Sequence, residues 1–223
     1  MCKAISVAGW FINNDFKPTN DKSGNLKLNK LLYFAQMISL IKRNKPLFEE
    51  ELYAFENGVV VEKIRKDYCN NYDDFVKLAK EYDKNFNEDE IDILESTKEL
   101  FLNVSPEDLS ELTHQHKCWK HYYNKSIEEA KGYKYNKESA RMPIGVIKNV
   151  YKDDLLLIKK MVDALEISYD IKEEKIVINN TEFYYNPEEL CINEAIKQQL
   201  EEFPSYDEAY SLYIDEEQGL VVY

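Results

Sequence analysis

All three histidines of the chain fall within eight residues, as His114-x-His116-x-Cys118-x-x-His121. On one continuous helix, His114, Cys118 and His121 would stand at i, i+4 and i+7 on a shared face. Imidazole and thiolate donors so placed suit zinc. No fourth ligand follows nearby, so the trio is an incomplete ligand set and no metal is expected. His116 and His121 then read as ordinary surface residues. Cys118 is also the only thiol with a base close by, but nucleophilic catalysis needs an orienting acid as well. The sequence has no G-x-S-x-G elbow, Walker loop, G-x-G-x-x-G fingerprint or H-E-x-x-H pair. Its six glycines are not clustered to cradle a phosphate. The many carboxylate pairs read as solvated surface. Neither an enzyme nor a cofactor is expected.

Charge is the stronger signal. The chain has 223 residues and a formal net charge of −13. Residues 166–223 hold 15 acidic residues against Lys172, Lys175 and Lys197, whereas residues 1–165 are almost balanced, with 27 acidic and 26 basic. Phosphate backbones repel such a C-terminal quarter, so direct nucleic-acid binding is not expected and a basic protein is the natural partner. Its seven tyrosines, Tyr169, Tyr184, Tyr185, Tyr206, Tyr210, Tyr213 and Tyr223, offer amphipathic contact area. No apolar run approaches the ~20 residues of a membrane span, and Met1-Cys2-Lys3-Ala4-Ile5 does not begin a secretory signal. Cys2, Cys69, Cys118 and Cys191 are scattered, as in a reducing compartment, so a cytoplasmic protein is expected.

These residues must be positioned by elements that the periodicity outlines. Residues 5–14 read as a short helix and 15–25 as a loop. Residues 26–43 give the strongest helical stripe, with Leu28, Leu31, Leu32, Ala35 and Ile38, and such a wide stripe marks a central helix. Residues 52–55 read as extended, with Asn57-Gly58 as a turn. Residues 59–68, 73–82 and 88–103 read as helices. Ser105-Pro106-Glu107-Asp108 starts another, predicted to run on toward Trp119. A polar loop over 132–143 and a helix over 153–165 follow. Beyond, 167–171, 175–178 and 181–185 read as strands, the last two joined by Asn179-Asn180. Residues 187–203 read as a helix, and 212–223 as a hairpin turning at Glu217-Gln218-Gly219. The fold class is mainly α: a compact helical domain over 1–165 and a small acidic α+β module over 166–223.

Three stretches resemble one family in order and spacing. Lys27-Leu28-Asn29-Lys30-Leu31-Leu32-Tyr33-Phe34-Ala35-Gln36 resembles the K-L-Q-K-L-L-Y-Y-A-Q helix of the Panacea domain of SocA-like antitoxins. Pro46-Leu47-Phe48, with Ala54 and Asn57-Gly58-Val59-Val60, is similar to its P-L-F…A…G-P-V-V segment. Glu111-Leu112-Thr113-His114, with Trp119 five residues on, resembles its L-T-H…P-W motif. The likeness covers about residues 4–150 and leaves out the acidic quarter. Asn57-Gly58-Val59 departs from Gly-Pro-Val, and Cys118 stands where proline precedes the tryptophan, which bears on the local backbone and on partner specificity.

The resemblance implies a non-enzymatic antitoxin that neutralises a toxin encoded by an adjacent gene. It would do so by covering a working surface, and family members include a protease adaptor. Partner contacts are expected at Tyr33, Gln36, Asn57, Gly58, His114 and Trp119 of the motifs, although Tyr33, Phe34 and Trp119 read first as core-packing residues. In the acidic module they are expected at Tyr184, Tyr185, Glu188, Glu189, Glu201, Glu202 and Tyr206. The competing expectation is an anti-defence protein of a phage or mobile element, whose acidic face mimics nucleic acid against a host nuclease.

Overall fold

A computed structural model describes residues 2–82, 85–170, 173–215 and 218–223, with side chains 168–170 left aside. The fold is mainly α, with an α+β C-terminal region, and divides into two compact units, 1–165 and 166–223. The first contains α1 (Ala4–Asn13), α2 (Lys22–Arg43), β1 (Leu52–Phe55), β2 (Gly58–Val61), α3 (Glu62–Asn70), α4 (Tyr72–Glu81), α5 (Glu88–Phe101), α6 (Pro106–Gln115), α7 (Lys117–Glu128), β3 (Arg141–Met142) and α8 (Ile144–Asn149). The division falls within α9 (Lys152–Asp170).

Helix α2 is the axle of this unit. Leu28, Leu31, Leu32, Tyr33, Ala35, Met37 and Ile38 are fully buried, and α1, α3, α5, α6 and β2 all pack against it. It starts at Lys22, inside the stretch expected to be loop, because the Asp21 carboxylate accepts from the Gly24 amide at 2.7 Å. It stops where Asn44 enters the left-handed region at φ 57°. Helices α1 and α4 touch closely enough that a Cβ on Gly9 would lie 2.0 Å from the Ala79 carbonyl oxygen. Strands β2, β1 and β3 form an antiparallel sheet in that order.

Three expectations for this unit are corrected. The stretch predicted as one helix over 59–68 begins as β2. Gly58, Val59, Val60 and Val61 are all buried, so the strand shows no alternation for periodicity to detect. The helix predicted from Ser105 toward Trp119 is broken at His116, where α6 ends and α7 begins. Two backbone amides at the start of α7, those of Lys117 and Cys118, are taken by the Asp154 carboxylate of α9, both at 2.9 Å. A cap supplied from 36 residues away is invisible to local pattern. Finally, β3 lies inside the loop predicted over 132–143, and α8 was not anticipated.

The second unit contains β4 (Glu174–Ile178), β5 (Thr181–Tyr185), α10 (Glu194–Glu202), β6 (Ala209–Asp215) and β7 (Gly219–Val222), with sheet order β4-β5-β6-β7. Asn179 and Asn180, at φ 51° and 65°, make the tight turn that the sequence announces. Strand β5 pairs in parallel with β6, the crossover running through α10. Phe183, Leu190, Leu200 and Leu212 form the core, on one side of the sheet only. The strand expected over 167–171 is helical through Asp170, and Ile171 lies outside the described residues. The helix expected from 187 starts only at Glu194, since Asn193 caps the Ile196 amide at 3.0 Å while Asn186 holds a turn onto Glu188. Gln218 and Gly219 of the expected last turn precede or open β7, and Glu217 lies outside the described residues.

Candidate functional site

The three motifs converge on one feature, the turn between β1 and β2. Lys30 is fully buried on α2, and its Nζ donates to the carbonyls of Asn57 at 2.6 Å and Val59 at 2.9 Å. Burial pushes its pKa down to about 7. The Asn57 carbonyl also accepts from Ser110 Oγ of α6. Trp119 of α7 donates its indole N–H to the Phe55 carbonyl at 3.0 Å. Gly58 sits at φ 88°, where a Cβ would meet Thr113 Oγ1 at 2.1 Å and Lys30 Nζ at 2.6 Å. Only glycine fits a left-handed position that crowded. Asn29 of α2 accepts the Val61 amide at 2.9 Å, extending the grip along β2.

The remaining signature side chains fasten neighbouring segments in the same way. Gln36 is fully buried and accepts the amides of Leu47 and Phe48 while donating to the Phe48 carbonyl, so it pins the Pro-Leu-Phe segment to α2. Lys27 donates to the carbonyls of Phe101 and Val104 and thereby caps the end of α5. Burial lowers its pKa to about 8. Tyr33 is fully buried and shares a 2.5 Å hydrogen bond with His116 Nδ1. Burial raises the phenol's pKa and lowers that of the imidazole, keeping both neutral. Tyr33 and Gln36, expected as partner contacts, therefore lie beneath the surface.

What this clamp presents to solvent is the tip Glu56-Asn57, both residues exposed. The tip stands between two recesses of about 510 and 360 Å³, each of which has Lys22, Leu26 and Asn57 in its wall. The larger is floored by Phe55, Val60, Tyr123 and Tyr135. At its edge the Arg65 guanidinium lies 5.7 Å from the Phe55 ring centroid and donates to Glu62 at 2.6 Å. Burial opposes charge on Glu62, but Arg65, Lys137 and Lys66 around it hold its carboxyl below the ordinary range. The smaller recess is rimmed by Glu107, Glu111 and His114. The His114 ring stacks on Trp119 at 4.1 Å, and Trp119 on Tyr123 at 4.9 Å, which joins the two recesses through one aromatic column.

The histidine–cysteine cluster is not assembled. His114 belongs to α6, Cys118 and His121 to α7, and the break at His116 removes the single helical face the spacing implied. Among the described residues no group of three His, Cys, Asp or Glu could hold a metal. Cys118 is fully buried, and burial with Asp154 nearby pushes its thiol up to about 12, the opposite of an activated nucleophile. His116, expected at the surface, is buried against Tyr33 and Phe34. Sequence reasoning missed it because a histidine between two helices carries no periodic signal.

In the second unit Glu188, Glu189, Glu201, Glu202 and Tyr206 are exposed. Tyr184 and Tyr185 are half-buried on opposite faces of β5. Tyr185 packs toward the core with its hydroxyl on Glu174, and Tyr184 turns to the other side with its hydroxyl on Glu182. Tyr210 is a core residue stacked on Phe183, and its hydroxyl accepts the amides of Tyr206 and Asp207.

Among the described residues no helix is long and apolar enough to cross a membrane. No curated protein and no solved structure matches the chain. Residues 28–120, which contain most of α2, the clamped β1–β2 turn and the start of α7, match the family model of the antitoxin SocA-like, Panacea domain, the family that the three motifs resemble.

Proposed function

We propose that this protein is an antitoxin that binds a toxin protein directly and covers its working surface, the toxin being a basic protein encoded by an adjacent gene. The observation that carries the reading is the match to the antitoxin domain over residues of which Lys30, Gly58 and Trp119 hold one exposed turn between two recesses. A rigid tip flanked by an aromatic-floored recess suits the anchor-and-pocket pattern of tight protein interfaces. The body supplies that anchor, with Asn57, Trp119 and His114 at or just under it, and the acidic module adds a charged second contact. Gly58 lets the turn close, and buried Tyr33 and Gln36 fasten the segments beside it.

Co-expression with the neighbouring gene tests this. Growth should be rescued and the two products should co-purify. A chain that binds no neighbour-encoded protein and rescues nothing would overturn the reading. The carboxylate surplus of residues 166–223 also suits a nucleic-acid mimic. In that case the purified chain would inhibit a defence nuclease with no toxin gene beside it.

A further inference from the structure

The sheet of the second unit has one face that nothing described in that unit covers. Ile176, Ile178, Phe183, Tyr185, Tyr210, Leu212, Leu220 and Val222 all turn to the core, so strand alternation sends Lys175, Val177, Glu182, Tyr184, Ser211, Tyr213, Val221 and Tyr223 to the other side. A solvated sheet face ordinarily carries polar residues. Here Val177 is 55% exposed, Tyr213 40% and Tyr223 71%. The pairing register places Tyr184 beside Ser211, and Ser211 exchanges both backbone hydrogen bonds with Tyr223. A small residue is thus set between two tyrosines, with Tyr213 next to them.

One half of this face already holds a cation of the unit itself. Lys175 Nζ lies 5.9 Å from the Tyr184 ring centroid and 2.6 Å from the Glu182 carboxylate, whose other oxygen accepts the Tyr184 hydroxyl. This is a cation held by a ring face and a carboxylate together. The other half repeats the aromatic part. Tyr213 and Tyr223 meet edge to face at 5.5 Å. No basic residue of the unit remains, among those described, to occupy it: Lys175 is taken by Glu182 and Lys197 by Glu194. The unit still carries 15 acidic residues against three basic ones.

We propose that the open sheet face, through Tyr213 and Tyr223 with the surrounding carboxylates, receives a lysine- or arginine-bearing segment of the partner protein. The identity of that partner as a toxin rests on the preceding reading; the face itself does not. The charge surplus alone would attract any cation, whereas ring faces add a short-range component that leaves net charge untouched when removed.

The experiment uses the full chain and a fluorescein-labelled nona-arginine peptide, read by fluorescence anisotropy at about 0.15 M salt. The Tyr213→Ser/Tyr223→Ser double variant should bind the peptide about 5- to 10-fold more weakly, two ring contacts being lost. Tyr133→Ser, 81% exposed but in the first unit, should bind like the parent. Circular dichroism of each variant checks folding, and the single variant Tyr223→Ser should give a smaller loss if the double variant unfolds. Equal binding by all variants, or a change of oligomeric state in place of peptide affinity, overturns the proposal. A neighbour-encoded toxin that binds parent and double variant equally would sink this proposal and leave the antitoxin reading standing. Tyrosine-dependent peptide binding with no neighbour-encoded partner would do the reverse.

Discussion

Lysines at 27 and 30 look like surface residues by type, yet both project into the body of the protein. The physical reason is what they meet there. Each ammonium donates to two carbonyl oxygens at a turn or a helix end. An ion with no counter-charge is costly to bury, and its depressed pKa states that cost. An unfolded lysine keeps its ordinary value of 10.5, whereas folded Lys30 sits at about 7 and Lys27 at about 8. Between those values the unfolded chain holds more protons than the folded one, so stability rises with pH. The window closes near pH ~9, where Cys118 and the buried tyrosines, whose folded values are raised, begin to act in the opposite sense. Melting temperature should therefore climb from about pH 7 to about pH 9, and Lys30→Met should flatten the climb while leaving the part due to Lys27. An identical slope in the variant would show that Lys30 is not the titrating group. The motif spelling and the core packing of Tyr33 were readable from the sequence, and the inward direction of Gln36 and the two lysines was not. Nothing in residue type distinguishes a polar group that faces water from one that faces orphaned carbonyls.

At the level of elements, the sequence announces what is controlled locally. Ser105-Pro106 before α6 and Asn179-Asn180 between β4 and β5 are short-range signals that mark the boundaries found, while the caps Asp21 and Asn193, equally local, went unread and left the starts of α2 and α10 misplaced. Two other misses were set from a distance. Strand β2 is apolar on both faces because sheet and helices bury both, and α7 starts at Lys117 because Asp154 reaches it from α9. This gives a sharp expectation. Asp154→Ala strips two helix-start amides of their acceptor and should cost about 1–3 kcal/mol, measured by chemical denaturation. Asp153→Ala next to it removes only an exposed pair with Lys117 and should change stability little. If the two variants behave alike, α7 is held by its other contacts and the long-range cap is incidental. Trp119 and the column it forms with His114 and Tyr123 would feel the loss of α7's start, so the Asp154 variant should also weaken partner binding.

For the molecule as a whole, the division of charge matters more than its total. The body is almost neutral, and nearly all of the net charge belongs to residues 166–223. Glu201 and Glu202 close α10 at its C-terminal end, where carbonyl groups already concentrate negative potential and the last turn holds no basic residue. Acids in that place do not serve the helix. Replacing Glu188, Glu189, Glu201 and Glu202 by Lys should leave the melting temperature unchanged or slightly higher while weakening partner binding and its salt dependence. Full affinity retained in that variant would place the contact wholly on the body. The candidate site was legible in part for the same reason. Composition exposed the acidic quarter and its tyrosines, but only the strand register separates Tyr185 and Tyr210, which build the core, from Tyr213 and Tyr223, which stand outside it.

The fastenings of α2 have a further consequence for how the molecule comes into being. Lys27 reaches residues 101 and 104, Tyr33 reaches 116, and the tip's indole bond joins residue 119 back to 55. During synthesis, α2 emerges long before the acceptors of its polar side chains exist. A growing chain cut short of about residue 105 would leave the Lys27 ammonium without its carbonyls, and one cut short of about 120 would still lack the Tyr33 and Trp119 bonds, so it should stay open to proteases, and only a nearly completed body should become durable.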